Sequence, residues 1–375
     1  MDLSVISTYR CDSRCSMCHI WKNPTHPIEE VSVRELEKLP KGFDNLNITG
    51  GEPTLRKDLY EIVTVLYRKA RILEISSNGL HADKLEPIVR KYPAVKIRFS
   101  VEAFGGLNDR IRGEPQGFET KLKGLRRLRE LGGKDLGFAT VIQDDNAHQL
   151  LELYRFAMRE RFEFSTSALH NAFQFHKNDN YPYDRLKLAK ELEKLITEML
   201  SSDSIKNWFR AYLNLGLIKK ILGQDRLIAC TAATDFVFVD PWSDVYACNV
   251  RPDLLMGNLQ QQTWAEIMSS EVASSIRLRV AACTQNCWMV TTARTAMRNP
   301  HIPQLPKMGP LTWVLKNKLK LIIGRSIDLR GMIDYSLIHK DGEGPKRQYY
   351  LNQVVKRTLQ YKDQPHYQQG EFFNK

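Results

Sequence analysis

A strand-like segment, a loop and an amphipathic helix recur in turn from residue 1 to about residue 165, and that recurrence most limits what the chain can fold into. The strand-like stretches are LSVIST, NLNIT, LEISSN, VKIRFSVEA and LGFATVIQ, with a sixth in FEFSTSAL. Between them lie helix-like stretches such as SVRELEKL, KDLYEIVTVLYRKA, ADKLEPIVRKY, FETKLKGLRRLREL and NAHQLLELYRFAMRE, several of which open on or just after Ser, Asp or Asn, as N-caps should. Such alternation predicts βαβ units and a parallel sheet or barrel. Residues 170–185 are loop-like and aromatic, and 184–223 read as one or two helices. Residues 226–299 change character, with a hairpin-like piece, DFVFVDPWSDVYAC.

Three of the seven cysteines fall in the loop after the first strand: Cys11, Cys15 and Cys18, with three and then two residues between them. Catalytic groups collect in loops at the C-terminal ends of barrel strands. Three thiolates there can hold three irons of a 4Fe–4S cube and leave the fourth iron open to a small molecule. A zinc knuckle completed by His19 is the alternative on spacing alone. The N-terminus has no basic segment followed by an apolar one, so no signal peptide is read, and no run of eighteen apolar residues occurs. A reducing cytoplasm follows, where clustered cysteines bind metal more often than they form disulfides.

This segment resembles the radical S-adenosylmethionine (SAM) superfamily, whose signature is three cysteines at this spacing after the first barrel strand. The resemblance continues through NITGGEPTL at 47–55, where Gly50, Gly51, Glu52 and Pro53 match the family's GGEP loop. It implies that the backbone and the Glu52 side chain bind the methionine ammonium group. Glycine admits close backbone approach, and a carboxylate pairs with an ammonium. SSNGL (76–80) and RFSVEA (98–103) match weaker family stretches, placing Ser77, Asn78 and Ser100 near the cofactor's ribose or carboxylate. NDRIRG (108–113) makes Arg112 a candidate for cofactor contact or loop bracing, and ATVIQ (139–143) supplies backbone to the adenine. Met17 stands where the family often has an aromatic residue, which keeps a packing role and loses a stacking one.

The remaining cysteines, Cys230, Cys248, Cys283 and Cys287, can form an all-cysteine site, which spacing leaves open between zinc and iron–sulfur. Their context, CTAATDFVFVDPWSDVYAC…MGNL…TWAEIM…CTQNCW, resembles the twitch form of the SPASM extension. That is a β-hairpin and helix holding one auxiliary 4Fe–4S cluster. The implied architecture is a partial (β/α)6 TIM-like barrel with connecting helices over 1–225, an auxiliary-cluster domain over 226–299 and a basic extension over 300–375.

The resemblance implies two 4Fe–4S clusters, SAM, and a one-electron reductant such as flavodoxin or ferredoxin. Reductive cleavage of SAM would yield a 5′-deoxyadenosyl radical that abstracts a substrate hydrogen. All seven cysteines are then assigned, so no spare thiol returns a hydrogen atom, and a net oxidation assisted by the auxiliary cluster is expected. Tyr181 or Tyr183 could donate hydrogen instead. Asp144, Asp145, His170 and His176 are candidate bases. A small-molecule or sugar-like substrate is expected ahead of a ribosomal peptide, because peptide maturases commonly carry a leader-binding domain and only ten residues precede Cys11.

The net charge of +12 suggests an acidic partner, and residues 300–375 contribute +7 of it. GPLTWVLKNKLKLIIGR (309–325) interleaves Lys316, Lys318 and Lys320 with Trp313, Leu315, Leu319 and Ile322. The pattern fits a helix at an anionic membrane surface, one gripping a phosphorylated or lipid-linked substrate, or one packed on the barrel with lysines in water. The chain lacks a basic–aromatic RNA platform, so no nucleic acid partner is expected.

Overall fold

The computed structural model describes residues 1–177, 179–299, 309–327, 329 and 331–336. The expected mobile end, QPHYQQGEFFNK, lies outside them. Six strands, β1 (Asp2–Ile6), β2 (Phe43–Thr49), β3 (Ala70–Ser77), β4 (Lys96–Ser100), β5 (Asp135–Ile142) and β6 (Glu163–Ala168), pair in parallel with their sequence neighbours. Helices α1 (Val33–Glu37), α2 (Leu59–Tyr67), α3 (Glu86–Lys91), α4 (Gly105–Arg112), α5 (Gly117–Glu130) and α6 (Leu150–Arg159) occupy the crossovers. This is the expected open (β/α)6 order.

Period-2 alternation explains how the sheet makes both a core and a site. In register across the strands, Val5, Ile48, Ile75 and Ile97 form one apolar row, and Phe99, Phe138 and Phe164 another. These residues are 0% exposed and pack on helix residues such as Ile62, Ile88, Leu125 and Leu153. The alternate positions near the strand ends are small and polar: Thr49, Ser76, Ser100, Ser165 and Ser167. One face therefore stabilises the fold through burial at about 25 cal/mol per Å², while the other lines a cavity.

Helices α7 (Arg185–Ser201) and α8 (Ile205–Ile221) follow, the pair read as one or two helices. Strands β7 (Phe236–Val239), β8 (Asp244–Tyr246) and β9 (Leu255–Asn258) then extend the same sheet beyond β1, giving the order β6-β5-β4-β3-β2-β1-β7-β8-β9. The expected hairpin is thus three strands, and β7 pairs parallel to β1 with Leu3 opposite Val237. It is followed by α9 (Trp264–Ser269), α10 (Glu271–Ala281), α11 (Val290–Arg298) and α12 (Pro310–Ile322). Buried Asp2 accepts from Arg294 at 2.9 Å, from Arg298 at 2.7 Å and from Asn45 at 3.0 Å, tying β1 to α11 and β2.

Candidate active site

A cavity of about 240 Å³ opens at the C-terminal ends of the parallel strands. Its lining includes Cys11, Cys15 and Cys18, Gly50 and Gly51, Ser77 and Asn78, Ser100, Arg112, and residues 139–141. These are most of the positions expected to meet a cofactor, brought together from five strand ends.

The cysteine loop is held from several sides. Arg14 N donates to Arg112 O at 3.0 Å and Ser16 N to Ile111 O at 2.9 Å, at the end of α4. Asn78 Nδ2 donates to Asp12 Oδ1 at 2.6 Å and Ser13 Oγ at 2.8 Å. His19 N donates to Phe175 O at 2.7 Å, and Asn180 Nδ2 to Met17 O at 2.8 Å. Met17 is buried beside Cys15 and Ile111, a packing role. His19 is half-buried and does not line the cavity.

Burial, then the neighbouring Cys15 thiol, pushes Cys11 and Cys18 up to about 12, and burial also raises Cys15. Three thiols packed this closely resist ionising together unless something cationic joins them. Arg112 supplies part of that charge. Burial alone would lower it, but Cys15, Glu114, Glu102 and Cys11 outweigh burial and hold it firmly protonated. Its Nη1 lies 3.3 Å from Glu102 Oε1 and its Nε 3.3 Å from Glu114 Oε1. Glu114 also accepts from Lys121 and Ser13. Two carboxylates and two cations thus form a buried, charge-balanced group behind the thiols.

The GGEP loop packs backbone to backbone on the segment after β1. Gly51 N donates to Thr8 O at 2.7 Å and Glu52 N to Arg10 O at 2.8 Å. A Cβ on Gly50 would lie 2.4 Å from Thr8 O, and one on Gly51 2.2 Å from Arg10 O, so only glycine fits. Glu52 departs from expectation. It is fully buried, and its carboxylate accepts from Thr54 N at 2.9 Å, Thr54 Oγ1 at 2.7 Å, Ser77 Oγ at 2.9 Å and Asn78 N at 2.5 Å. Neither Glu52 nor Pro53 lines the cavity. The side chain braces two loops because its four acceptances leave it facing protein donors.

The proposed bases and hydrogen donors separate clearly. Asp144 caps residues 183 and 184, accepting from their backbone N–H groups at 3.0 and 2.7 Å, while Asp145 is exposed. Tyr183 is 77% exposed, and neither it, Tyr181 nor His176 lines the cavity. His170 does. Its Nδ1 lies 3.0 Å from Ala168 O, which can only accept, so Nδ1 carries the proton and Nε2 presents a lone pair. Among the described residues, Nε2 is buried with no partner. Burial, then Lys220, lowers His170 to about 3, so the ring is neutral. Pairwise motif reading singles out no such atom; only its burial does.

The second cysteine group lies beyond β1, with each thiol half-buried. Burial, then Cys287 and Cys230, pushes Cys248 up to about 12, so these three sit close together. Cys283 is met by the Arg251 guanidinium. Trp288, next to Cys287, is 0% exposed and donates from Nε1 to Leu213 O of α8 at 2.7 Å, with the Arg226 guanidinium 5.0 Å from its ring. Lys220, on the same helix, faces Cys287 and donates to Ala168 O at 3.3 Å, the oxygen also bonded by His170. One carbonyl therefore joins the cavity wall to the second cysteine group. Among the described residues, no three His, Cys, Asp or Glu side chains are gathered around a single ion position.

The family model described as "Radical SAM superfamily" matches residues 5–157, and SPASM, an "Iron-sulfur cluster-binding domain", matches residues 230–288. Residues 5–157 thus form a radical SAM domain and residues 230–288 a SPASM domain. Pre-heme d1 synthase of Dinoroseobacter shibae is 28% identical over 52% of this chain and 50% of its own length. GTP 3′,8-cyclase of Helicobacter pylori is 24% identical over 66% of this chain and 75% of its own. Mycofactocin maturase MftC of Mycolicibacterium smegmatis is 26% identical over 67% and 65%. The chain thus spans about half the length of the first of these relatives.

Among solved structures, anSMEcpe with bound AdoMet and a Cp18Cys peptide aligns with TM-score 0.56 at 14% identity, covering 86% of this chain and 97% of that one. Streptococcus suis SuiB bound to S-adenosylmethionine gives 0.54 at 17%, covering 74% and 67%. These show the shared fold. Radical SAM and SPASM domains carry a SAM-binding 4Fe–4S cluster and an auxiliary iron–sulfur cluster. The residues present fit both groups. Of the seven free thiols, Cys11, Cys15 and Cys18 line the cavity, Cys230, Cys248 and Cys287 sit close together and Cys283 meets Arg251, and soft thiolates favour such clusters.

Proposed function

We propose that this radical SAM protein is an oxidoreductase that removes hydrogen from a small polar, sugar-like substrate. In this reading Cys11, Cys15 and Cys18 hold the SAM-binding cluster, and Cys230, Cys248, Cys283 and Cys287 the auxiliary one. Bound there, the reduced cluster and SAM supply abstraction of a hydrogen atom from an unactivated C–H. The chain's own residues do the rest. Gly50 and Gly51 present backbone to the methionine end, Ser77, Asn78 and Ser100 present polar atoms to the ribose or carboxylate, and Arg112 offsets negative charge on the thiolates. The 1–225, 226–299 and 300–375 division of labour belongs to the same proposal.

The observation that carries the reading is the cavity wall. It is rich in hydroxyls, and its ring acceptor, His170 Nε2, is neutral and unpartnered. A neutral imidazole can accept a hydrogen bond from a substrate hydroxyl and pass on to water the proton that an oxidation releases. Support for an auxiliary role comes from Lys220, which bonds the same Ala168 carbonyl as His170 and faces Cys287. A flavodoxin- or ferredoxin-type donor supplies the first electron, and seven free thiols suit a reducing cytoplasm.

A second reading, modification of a peptide, draws on the similarity to mycofactocin maturase MftC over 67% of the chain. The test is anaerobic turnover with deuterated candidate sugars and peptides, reading deuterium in 5′-deoxyadenosine and product mass. A sugar product lighter by two hydrogens supports the proposal. Turnover of peptides alone, or a product of unchanged mass, contradicts it.

A further inference from the structure

Eleven large hydrophobic side chains are exposed among the described residues, and five of them fall between positions 311 and 323. They are Leu311 at 59%, Leu315 at 56%, Leu319 at 60%, Ile322 at 70% and Ile323 at 56%. Successive helical residues advance about 100°, so the first four of these occupy an arc of about 80°, which Ile323 widens to about 120°. The opposite face of α12 is already used. Trp313 and Val314 are buried, and the Trp313 ring lies 5.5 Å from that of Tyr212 on α8. Lys318 Nζ donates to Leu200 O and Ser202 O, both at 2.9 Å, fastening the helix at the end of α7. The helix is therefore docked by one apolar face and presents a second outward.

The charge around that outward face is of one sign. Lys316 and Lys320 border it on one side and Lys318 on the other, Arg325 follows it, and residues 309–327 contain no Asp or Glu. No described helix is long and apolar enough to cross a membrane. We propose that α12 docks the protein on an anionic phospholipid surface, with Leu311, Leu315, Leu319, Ile322 and Ile323 entering the headgroup–acyl boundary and Lys316, Lys320 and Arg325 meeting the headgroups. Charge complementarity selects this occupant. A second copy would oppose like charges, and residues 337–375 carry more Lys and Arg than Asp and Glu.

The test is flotation of the full-length, cluster-loaded protein with vesicles of phosphatidylcholine alone or mixed with phosphatidylglycerol, at low and high salt. Binding is expected only to the anionic vesicles and to weaken with salt. Lys316→Gln and Lys320→Gln should each weaken it about fivefold. Leu315→Glu with Leu319→Glu should abolish it while leaving the thermal midpoint and iron content unchanged, since both side chains are exposed. Failure of the parent to bind anionic vesicles overturns the proposal. So does undiminished binding by the double variant, which would assign the affinity to other basic residues. A parent that elutes as a dimer dissolved by the double variant, without vesicle binding, would make the face a contact between copies and also overturn it.

Discussion

Gly216 sits inside α8, where alanine should be favoured by about 1 kcal/mol. A Cβ there would lie 1.9 Å from Trp288 Cε2, 2.1 Å from Nε1 and 2.4 Å from Cζ2. No rotamer adjustment of a few tenths of an ångström accommodates that, so in Gly216→Ala the indole must leave its seat. Displacing a fully buried Trp forfeits packing of order 3–5 kcal/mol, part of it recoverable elsewhere, together with the Leu213 hydrogen bond at about 1 kcal/mol. The packing loss outweighs the propensity gain, for a net destabilisation of about 2–4 kcal/mol. Because Trp288 follows Cys287 directly, the same displacement should loosen the second thiol group. The assay is a thermal melt with iron per chain, under argon, for Gly216→Ala, Trp288→Leu and the pair. Gly216→Ala should melt several degrees lower and lose auxiliary iron. In the Trp288→Leu background the same change should cost little or stabilise, the signature of direct coupling. A single Gly216→Ala variant that melts higher and keeps its iron would refute the reasoning.

Other outcomes follow from buried polar groups. Glu52→Gln turns one oxygen into a donor facing the Asn78 N–H, and should cost about 1–3 kcal/mol in denaturant unfolding and weaken SAM binding by calorimetry. Arg112→Met leaves Glu102 and Glu114 short of a cation and should destabilise by about 3–5 kcal/mol, with Arg112→Lys restoring part of it in the same assay. His170 is lowered from 6.5 to about 3 by burial. The unfolded chain therefore takes the proton first, and the stabilisation is complete above pH 6.5 and lost as pH falls toward 3. His170→Gln should lose about 3 kcal/mol less stability than the parent between pH 7 and pH 4, read by urea titration at each pH.

The parallel strands were legible because one face is apolar core and the other lines a polar cavity, an alternation visible in LEIS and KIRFS. Helix α4 was not, since GGLNDRIR begins with two glycines and carries few apolar residues; its role is to offer Ile111 and Arg112 carbonyls to the cysteine loop. The thiol triplet and the glycine pair were readable from spacing, because their chemistry needs neighbours in sequence. The partners of Arg112 were not, as Glu102 reaches it from the loop after β4 and Glu114 from the turn before α5. The Glu52 carboxylate was misplaced for a related reason: its donors, Ser77 and Asn78, come from the next strand. The unpartnered nitrogen of His170 and the outward stripe of α12 depend on what is buried, which no linear pattern states.

The central claim is that the first thiol group alone supports SAM cleavage. Its most direct measurement is 5′-deoxyadenosine formed under argon from SAM and a chemical reductant by three proteins: the parent, a Cys11→Ala/Cys15→Ala/Cys18→Ala variant, and a Cys230→Ala/Cys248→Ala/Cys287→Ala variant. The account predicts roughly eight irons per chain in the parent, with cleavage by the parent and by the second variant and none by the first. Cleavage that survives loss of Cys11, Cys15 and Cys18, or a parent that holds zinc and leaves SAM intact, would contradict it.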